Sequence, residues 1–415
     1  MARADTKMWL VALAGSGLIA CSGAPTRERP RPTRNILIVT IDTLRADRLG
    51  RGFTPALDHL AAQSLSFTNT RSVAPMTGPS HSTIFTGLLP PSHGVRLNGQ
   101  SLATGASTMA QRLKQAGYQT SGVVAAFVLD RRFGFGAGFD QYDDAINRDP
   151  GAVDRLQADR SASDVTDRSI AALNRLSTDQ PWLLWVHFYD PHAPYDPPAD
   201  ARARAGGDGY NGEIAYVDEQ VGRVIAATGA RADASRLVTL IMADHGESLG
   251  DHGEATHGML LTDAALRVPL IIHVPGQPPA TRADPASLLD VLPTVLALCS
   301  QTPGSLPGRV LTGPPAPEAE AYAETTYPVV AGWSPMQSLV QDRWKLVRAE
   351  RPRLFDLATD PGEMADLAAS RSSVVRAMSA QLDAMGTVDS TGPPGARVSS
   401  DTVERLRALG YVAQA

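Results

Sequence analysis

The chain has 415 residues, 43% hydrophobic and 20% charged, with a formal net charge of -5 at pH 7. Such a composition is that of a globular protein long enough for a large domain plus a smaller one, and without a basic surplus it is not read as a nucleic-acid binder. Two cysteines, Cys21 and Cys299, exclude a disulfide-built fold. At the N-terminus, Arg3 and Lys7 precede an apolar run from Met8 to Ala20 that ends Leu18-Ile19-Ala20-Cys21. A charged start, a short apolar stretch and small residues before a cysteine form a signal-peptide layout, too short to span a bilayer comfortably. Residues 1–21 are therefore expected to be an export signal whose Cys21 is lipidated, an ordinary signal peptide containing a cysteine being the alternative. With Ser22 after the cysteine, the expected location is the outer membrane facing the periplasm, and membrane contact is expected through this anchor.

Residues 22–34 are rich in Pro, Arg and Thr and read as a tether. A main domain is expected over 35–300, because β-branched apolar runs alternate there with helical periodicity. Ile36 to Ile41 reads as a buried strand, Met109, Leu113 and Ala116 as one helix face closed by Gly117, and Thr120 to Ala126 as the next strand. Trp182 to Phe188 follows as a strand, Ile214, Val217, Val221 and Ile225 mark a helix, and Leu237 to Met242 is again a strand. Alternation of this kind predicts an α/β fold with a mostly parallel central sheet flanked by helices. Cys299, at the end of an apolar stretch, reads as a buried inert thiol. Residues 301–317 form a Pro/Gly-rich linker. A small C-terminal α+β subdomain is expected over 318–385, with strand-like runs Ser338 to Val340 and Trp344 to Val347 and a helix from Ser372 to Met385. The tail, 386–415, contains an amphipathic piece, Thr402 to Leu409.

Three strands end on polar groups: the first on Asp42, Trp182 to Phe188 on Asp190 and His192, and Leu237 to Met242 on Asp244 and His245. Ligands of open parallel sheets bind outside the carboxyl ends of the strands, so these groups are expected to share one crevice. Asp42 taken alone is equally a turn or helix cap. In Thr77-Gly78-Pro79-Ser80-His81 the proline suits the first turn of a helix and puts Thr77 at its positive end. Thr77 there either caps the helix or, beside a bound cation, is a stabilised nucleophilic hydroxyl. Arg96 and Asn98 are open to two readings, substrate contact or a turn.

Asp42 within Ile-Asp-Thr-Leu-Arg-Ala-Asp, the run from Thr77 to Gly87, His93-Gly-Val-Arg, Asp190-Pro-His-Ala-Pro-Tyr195 and Asp244-His-Gly-Glu-Ser-Leu-Gly250 resemble, in this order, the sulfatase family of the alkaline phosphatase superfamily. Arg267-Val-Pro-Leu, Asp290-Val-Leu-Pro-Thr294 and the segment Leu354 to Glu363 resemble that family's later segments. The resemblance implies an alkaline-phosphatase-like fold, a metal held by Asp42, Thr77, Asp244 and His245, and Thr77 at the nucleophile position. Sulfatases place there a Cys or Ser that becomes formylglycine, with an Arg four residues on; this chain has Thr77 and His81, and threonine cannot give that aldehyde. Thr43 and His245 replace an oxygen-ligand Asp and Asn, which favours zinc or manganese over calcium. His257 and the threonine are similar to features of the phosphoethanolamine transferases, which implies that His192 and His257 face substrate or a second metal. His81, His192 and Asn98 are expected to bind substrate, and Thr77, His192 and His257 to act catalytically. His93 and His252 read as structural.

The expected activity is metal-dependent hydrolysis of sulfate or phosphate esters, phosphate monoester or diester chemistry being favoured by the threonine. The substrate is a small molecule or a glycan or lipid ester. Transfer of a phospho-group to lipid or glycan is the alternative enzyme, and a non-catalytic anion-binding lipoprotein the alternative that does no chemistry.

Overall fold

A computed structural model describes residues 34–146, 160–386 and 388. The expected export signal, Cys21 and the amphipathic piece at Thr402 lie outside the described residues. Among them nine strands build one sheet: β1 (Asn35–Ile41), β2 (Leu65–Arg71), β3 (Gln119–Val124), β4 (Gln141–Asp143), β5 (Trp182–Phe188), β6 (Leu237–Ala243), β7 (Arg267–His273), β8 (Ala280–Arg282) and β9 (Ala286–Ser287). Their spatial order is β4-β3-β5-β1-β6-β7-β2-β8, with β9 also on β2. The sheet is mostly parallel, as expected, and helices cover it. Its central strands β5, β1 and β6 are buried over their whole length, which is why they read as unbroken apolar runs rather than alternating ones.

β7 departs from the parallel pattern, pairing antiparallel with both β6 and β2. Its Pro269 conceals it in sequence, since proline donates no hydrogen bond to a ladder. The structure accommodates the proline at an irregularity: the register with β2 passes from Phe67↔Leu270 to Thr70↔Val268, so Pro269 faces the slipped residues.

A four-stranded antiparallel sheet follows, β10 (Ala321–Thr325), β11 (Met336–Gln341), β12 (Trp344–Arg348) and β13 (Arg353–Asp356). One face packs Leu339, Leu346 and Leu354 against Met378 and Leu382 of the helix Ser372–Met385. The other packs Ala323, Val347 and Phe355 against Leu261 and Leu266 of the main sheet's loops. Between the sheets lies a buried charge network. Asp263 takes both arms of Arg71, at 3.0 and 2.6 Å, and Lys345 Nζ at 2.9 Å. Lys345 is fully buried and also pairs with Glu363.

The segment before β10 lies along the helix Val291–Leu298: Leu311 is buried and its N–H donates to Thr294 Oγ1 at 2.9 Å. Cys299 is a buried free thiol.

Candidate metal centre and active site

The parallel register aligns Ile41 with Phe188 and with Ala243, so the residues that follow emerge side by side at one sheet edge. Asp42 leaves β1 with its N–H donating to Phe188 O at 2.9 Å, and Asp244 leaves β6. Thr77 opens the helix Thr77–Thr86, whose N-cap is Met76. Its side chain therefore does not cap the helix: Thr77 Oγ1 donates to Asp42 Oδ2 at 3.2 Å and lies 3.4 Å from His245 Nε2.

Asp42, Asp244 and His245 offer three ligand atoms within 4.8 Å of one another, and all three residues are buried. The hydrogen-bond partners settle the protonation of the imidazole. His245 Nδ1 faces the Gly246 carbonyl at 3.0 Å, which only accepts, so Nδ1 carries the proton and Nε2 the lone pair. That lone pair lies 3.3 Å from Asp42 Oδ1 and 3.7 Å from Asp244 Oδ2. Neither carboxylate oxygen accepts a hydrogen bond. Burial, and then the other carboxylate, raises the pKa of Asp42 well above the ordinary range; burial likewise raises that of Asp244. Burial, followed by His257, holds His245 down to about 3. Three electron-rich atoms thus converge in a buried recess. A divalent cation fits this donor set of two carboxylates, an imidazole and a hydroxyl.

The backbone at Thr43 supports the pair of carboxylates. Its φ of 55° is the left-handed region, where a β-branched residue is strained, and its N–H reaches the carboxylates of both Asp42 and Asp244.

Behind the centre, Thr77, His81 and Phe85 lie at helical spacing on the face that packs against β5. Phe85 and His81 meet the Trp185 ring at centroid distances of 4.4 and 5.5 Å. His81 is consequently in the core and not in the crevice, contrary to expectation. Its Nδ1 donates to Thr77 O at 2.9 Å, and its Nε2 lies 3.0 Å from Thr40 Oγ1. Both ring nitrogens are engaged with protein, leaving none for substrate. The same logic continues outward. The single hydroxyl proton of Thr40 must go to His81 Nε2, so His187 Nδ1, also 3.0 Å from Thr40, donates. His187 Nε2 is then a buried lone pair 3.7 Å from Asp42 Oδ2. Sequence reasoning missed His187; its signal was a lone imidazole inside an apolar strand.

Toward the surface the imidazoles of His257 and His192 follow. Ring centroids are 4.4 Å apart for His245 and His257 and 5.1 Å for His192 and His257. His257 Nδ1 donates to Glu247 Oε1 at 3.1 Å and His192 Nδ1 to Ala193 O at 2.6 Å, so both have Nε2 unprotonated. Burial holds them down to about 4 and about 3 respectively. Glu247, whose pKa burial raises, also accepts from Tyr195 OH at 2.9 Å; the sequence reading had given it no role.

Asn98 stands over the helix terminus. The Gly78 N–H donates to Asn98 Oδ1 at 2.7 Å, which fixes the amide orientation and leaves the buried Nδ2 without a hydrogen-bond partner. A Cβ at Gly78 would lie 2.9 Å from that Oδ1, so only glycine permits the contact. Arg96 is turned instead toward Glu324, at 3.4 Å. His93 accepts from Val95 N–H at 3.1 Å and pairs with Thr83 at 3.0 Å, and His252 bonds Gly362 O at 2.9 Å. A cleft of about 760 Å³ lies apart from the centre, lined among others by Arg45, Leu49, Phe67 and Met364.

The sulfatase family model matches residues 34–301. The uncharacterized sulfatase YidJ of Escherichia coli (strain K12) is 26% identical over 412 residues, covering 80% of this chain and 82% of that protein. The choline-sulfatase of Rhizobium meliloti (strain 1021) is 25% identical over 430 residues, with the same coverage of 80% and 82%. Among solved structures, the phosphonate monoester hydrolase SpPMH from Silicibacter pomeroyi shares the fold at a TM-score of 0.70 and 23% identity, covering 85% of this chain and 94% of that one. With the match spanning the whole main sheet and the acidic strand ends inside it, the chain belongs to the sulfatase family, with the alkaline-phosphatase-like fold that its structural relatives share.

Proposed function

We propose that this protein hydrolyses phosphate esters, monoesters or diesters, by covalent catalysis at Thr77. The observation that carries the reading is the Thr77 hydroxyl at a buried helix N-terminus, 3.2 Å from Asp42 and 3.4 Å from His245, where an aldehyde-forming residue is absent. Asp42, Asp244, His245 and Thr77 would hold a divalent cation, zinc or manganese in preference to calcium because an imidazole replaces an oxygen ligand. When bound, the cation supplies Lewis acidity and favours the alkoxide form of the threonine.

The remaining chemistry belongs to the side chains. Thr77 Oγ1 attacks phosphorus as its proton passes to Asp42 Oδ2, and the bond to the leaving oxygen breaks, that oxygen taking a proton from solvent at the mouth. Asn98 Nδ2 and the helix terminus stabilise the charge on the non-bridging oxygens. Water then releases the threonyl phosphate. Its proton goes to the unprotonated Nε2 of His257, held in that tautomer by Glu247, while Asp42 returns a proton to Thr77. His192 lies beside His257 at the mouth, where the pair also has the chemistry for a second cation.

The experiment is a panel of aryl phosphate monoester, aryl phosphate diester and aryl sulfate with zinc, manganese or calcium, run on wild type and Thr77→Ala. Turnover in wild type and none in Thr77→Ala is expected, with a phosphate ester preferred. Undiminished turnover in the variant overturns the nucleophile, and preference for the sulfate overturns the phosphate reading. We further propose a lipid anchor at Cys21, holding the enzyme at the outer membrane. The mature N-terminal mass checks it, an unlipidated cysteine overturning the anchor.

A further inference from the structure

Thr43 directly follows Asp42 of the candidate metal centre, at the φ of 55° that β-branched residues avoid. A residue keeps such a conformation only where its surroundings hold it there. The threonine side chain is not what holds it: Thr43 is fully buried and its Oγ1 makes no hydrogen bond. The backbone is gripped instead, on both sides of the strained bond. The Thr43 N–H reaches the carboxylates of Asp42 and Asp244. The Thr43 carbonyl accepts from Tyr210 OH at 2.7 Å. That hydroxyl in turn accepts from the Arg45 N–H at 3.1 Å, so one phenol oxygen closes the turn from Thr43 to Arg45.

Tyr210 reaches this turn from a distant part of the chain and is itself firmly seated. It lies in the first turn of the helix Gly209–Gly229, whose N-cap Asp208 accepts from the Asn211 N–H at 2.7 Å. Its buried ring meets Tyr195 edge-on at a centroid distance of 5.4 Å, and the Arg48 guanidinium lies 5.8 Å from its centre. The hydroxyl is thus presented to the turn by a rigid support. The two grips on Thr43 are coupled through φ: a rotation about N–Cα that relieves the strain moves the N–H relative to the carbonyl, and one contact is lost.

We propose that Tyr210 is a positioning residue for the cation: its hydroxyl holds Thr43 in the left-handed conformation and so keeps the Thr43 N–H on the carboxylates of Asp42 and Asp244. This rests on the reading of that centre as a metal site. Two buried carboxylates repel each other before a cation arrives, and an N–H aimed at both keeps them ionised and oriented.

The test measures zinc affinity by chelator competition for wild type, Tyr210→Phe, Thr43→Gly and the double variant. Tyr210→Phe should raise the Kd about 10-fold, equivalent to about 1.4 kcal/mol, as expected for loss of a bond that supports ligands from outside. Glycine adopts this φ without strain and needs no brace, so Thr43→Gly should bind as wild type does, and adding Tyr210→Phe to it should cost no more than about 2-fold. The same 10-fold loss in both backgrounds, which a merely structural tyrosine would give, or no loss in either, overturns the proposal. Hydrogen exchange in the metal-free protein decides independently of the cation. The amide of residue 43 should exchange faster in Tyr210→Phe than in wild type, and the substitution should matter less when residue 43 is glycine. Unchanged exchange overturns the brace, whereas accelerated exchange in a protein whose wild type binds no zinc supports the brace and overturns the metal reading alone.

Discussion

Asn98 shows how much chemistry a single side chain's orientation determines. Because its Oδ1 is committed to the Gly78 N–H, Nδ2 must be the donor that remains. Asn98→Asp keeps the acceptor for Gly78 and removes the donor. It is expected to lower kcat by about 10²- to 10³-fold, the usual effect of losing one oxyanion donor, with the unfolding temperature little changed. A kcat within a few-fold of wild type sinks the donor role. Asp244→Asn tests the centre in another way, by halving its buried charge. Purified protein should then carry far less bound transition metal by elemental analysis, and undiminished content would remove Asp244 from the ligand set. At this scale Asp42 and Asp244 were legible because a carboxylate directly after an apolar strand has few other places to go. His81 was misplaced because its position four residues after Thr77 does not say which helix face meets the sheet. His187 was missed because one imidazole within seven buried residues looks like core. Its protonation emerges only when the partners of Thr40 are known.

The elements explain why these residues meet. β5, β1 and β6 are adjacent and parallel, so their last residues fall into line without help from loops. Strands of this kind announce themselves as apolar runs, and their limits in the structure differ little from those read in the sequence. β2 and β7 did not announce themselves, the first because its exposed face interrupts the run, the second because of Pro269. The helix Thr77–Thr86 is held at its far end by His93, whose ring bonds Thr83 and the Val95 N–H. Burial, followed by the charge of Arg96, holds His93 down to about 3. Its folded pKa is below the unfolded value of about 6.5, so the unfolded chain binds the proton first. The contribution is whole above about pH 6.5 and is lost as the pH falls toward 3. Between pH 7 and pH 4.5 about 2 to 3 kcal/mol of stability should disappear on this account. Urea unfolding at the two pH values checks it: His93→Gln should show a smaller acid loss than wild type, and an equal loss refutes the assignment.

For the whole molecule, the decisive contact is the buried network that joins the sheets. Arg71, Asp263, Lys345 and Glu363 compensate one another's charge away from water. Removing one partner strands the rest. Lys345→Met should destabilise by about 3 to 5 kcal/mol, and adding Glu363→Gln should recover part of it, because a neutral amide is cheaper to bury than an unpaired carboxylate. Denaturant unfolding measures both, and a single variant as stable as wild type would show the network to be dispensable. Arg71, Asp263 and Lys345 did not stand out in the sequence, and Glu363 did so only as the end of a family-like segment, since their meeting depends on how the two sheets face each other.

Gly246 carries that network's influence inward. Its N–H donates to Ala265 O at 2.7 Å, and a Cβ on it would lie 2.1 Å from Ala264 O. The residue next to His245 is therefore clamped to the short turn that begins at Asp263, the hub of the interlocked charges. Ligand binding and global folding are consequently linked, because a cation selective for the assembled centre draws the population toward the state in which both sheets are docked. Saturating zinc at 100 times its Kd should add about 2.7 kcal/mol to unfolding of the entire molecule. Calorimetry should show one transition moving upward as a unit, and a second transition that ignores the metal would mean that the C-terminal sheet melts on its own.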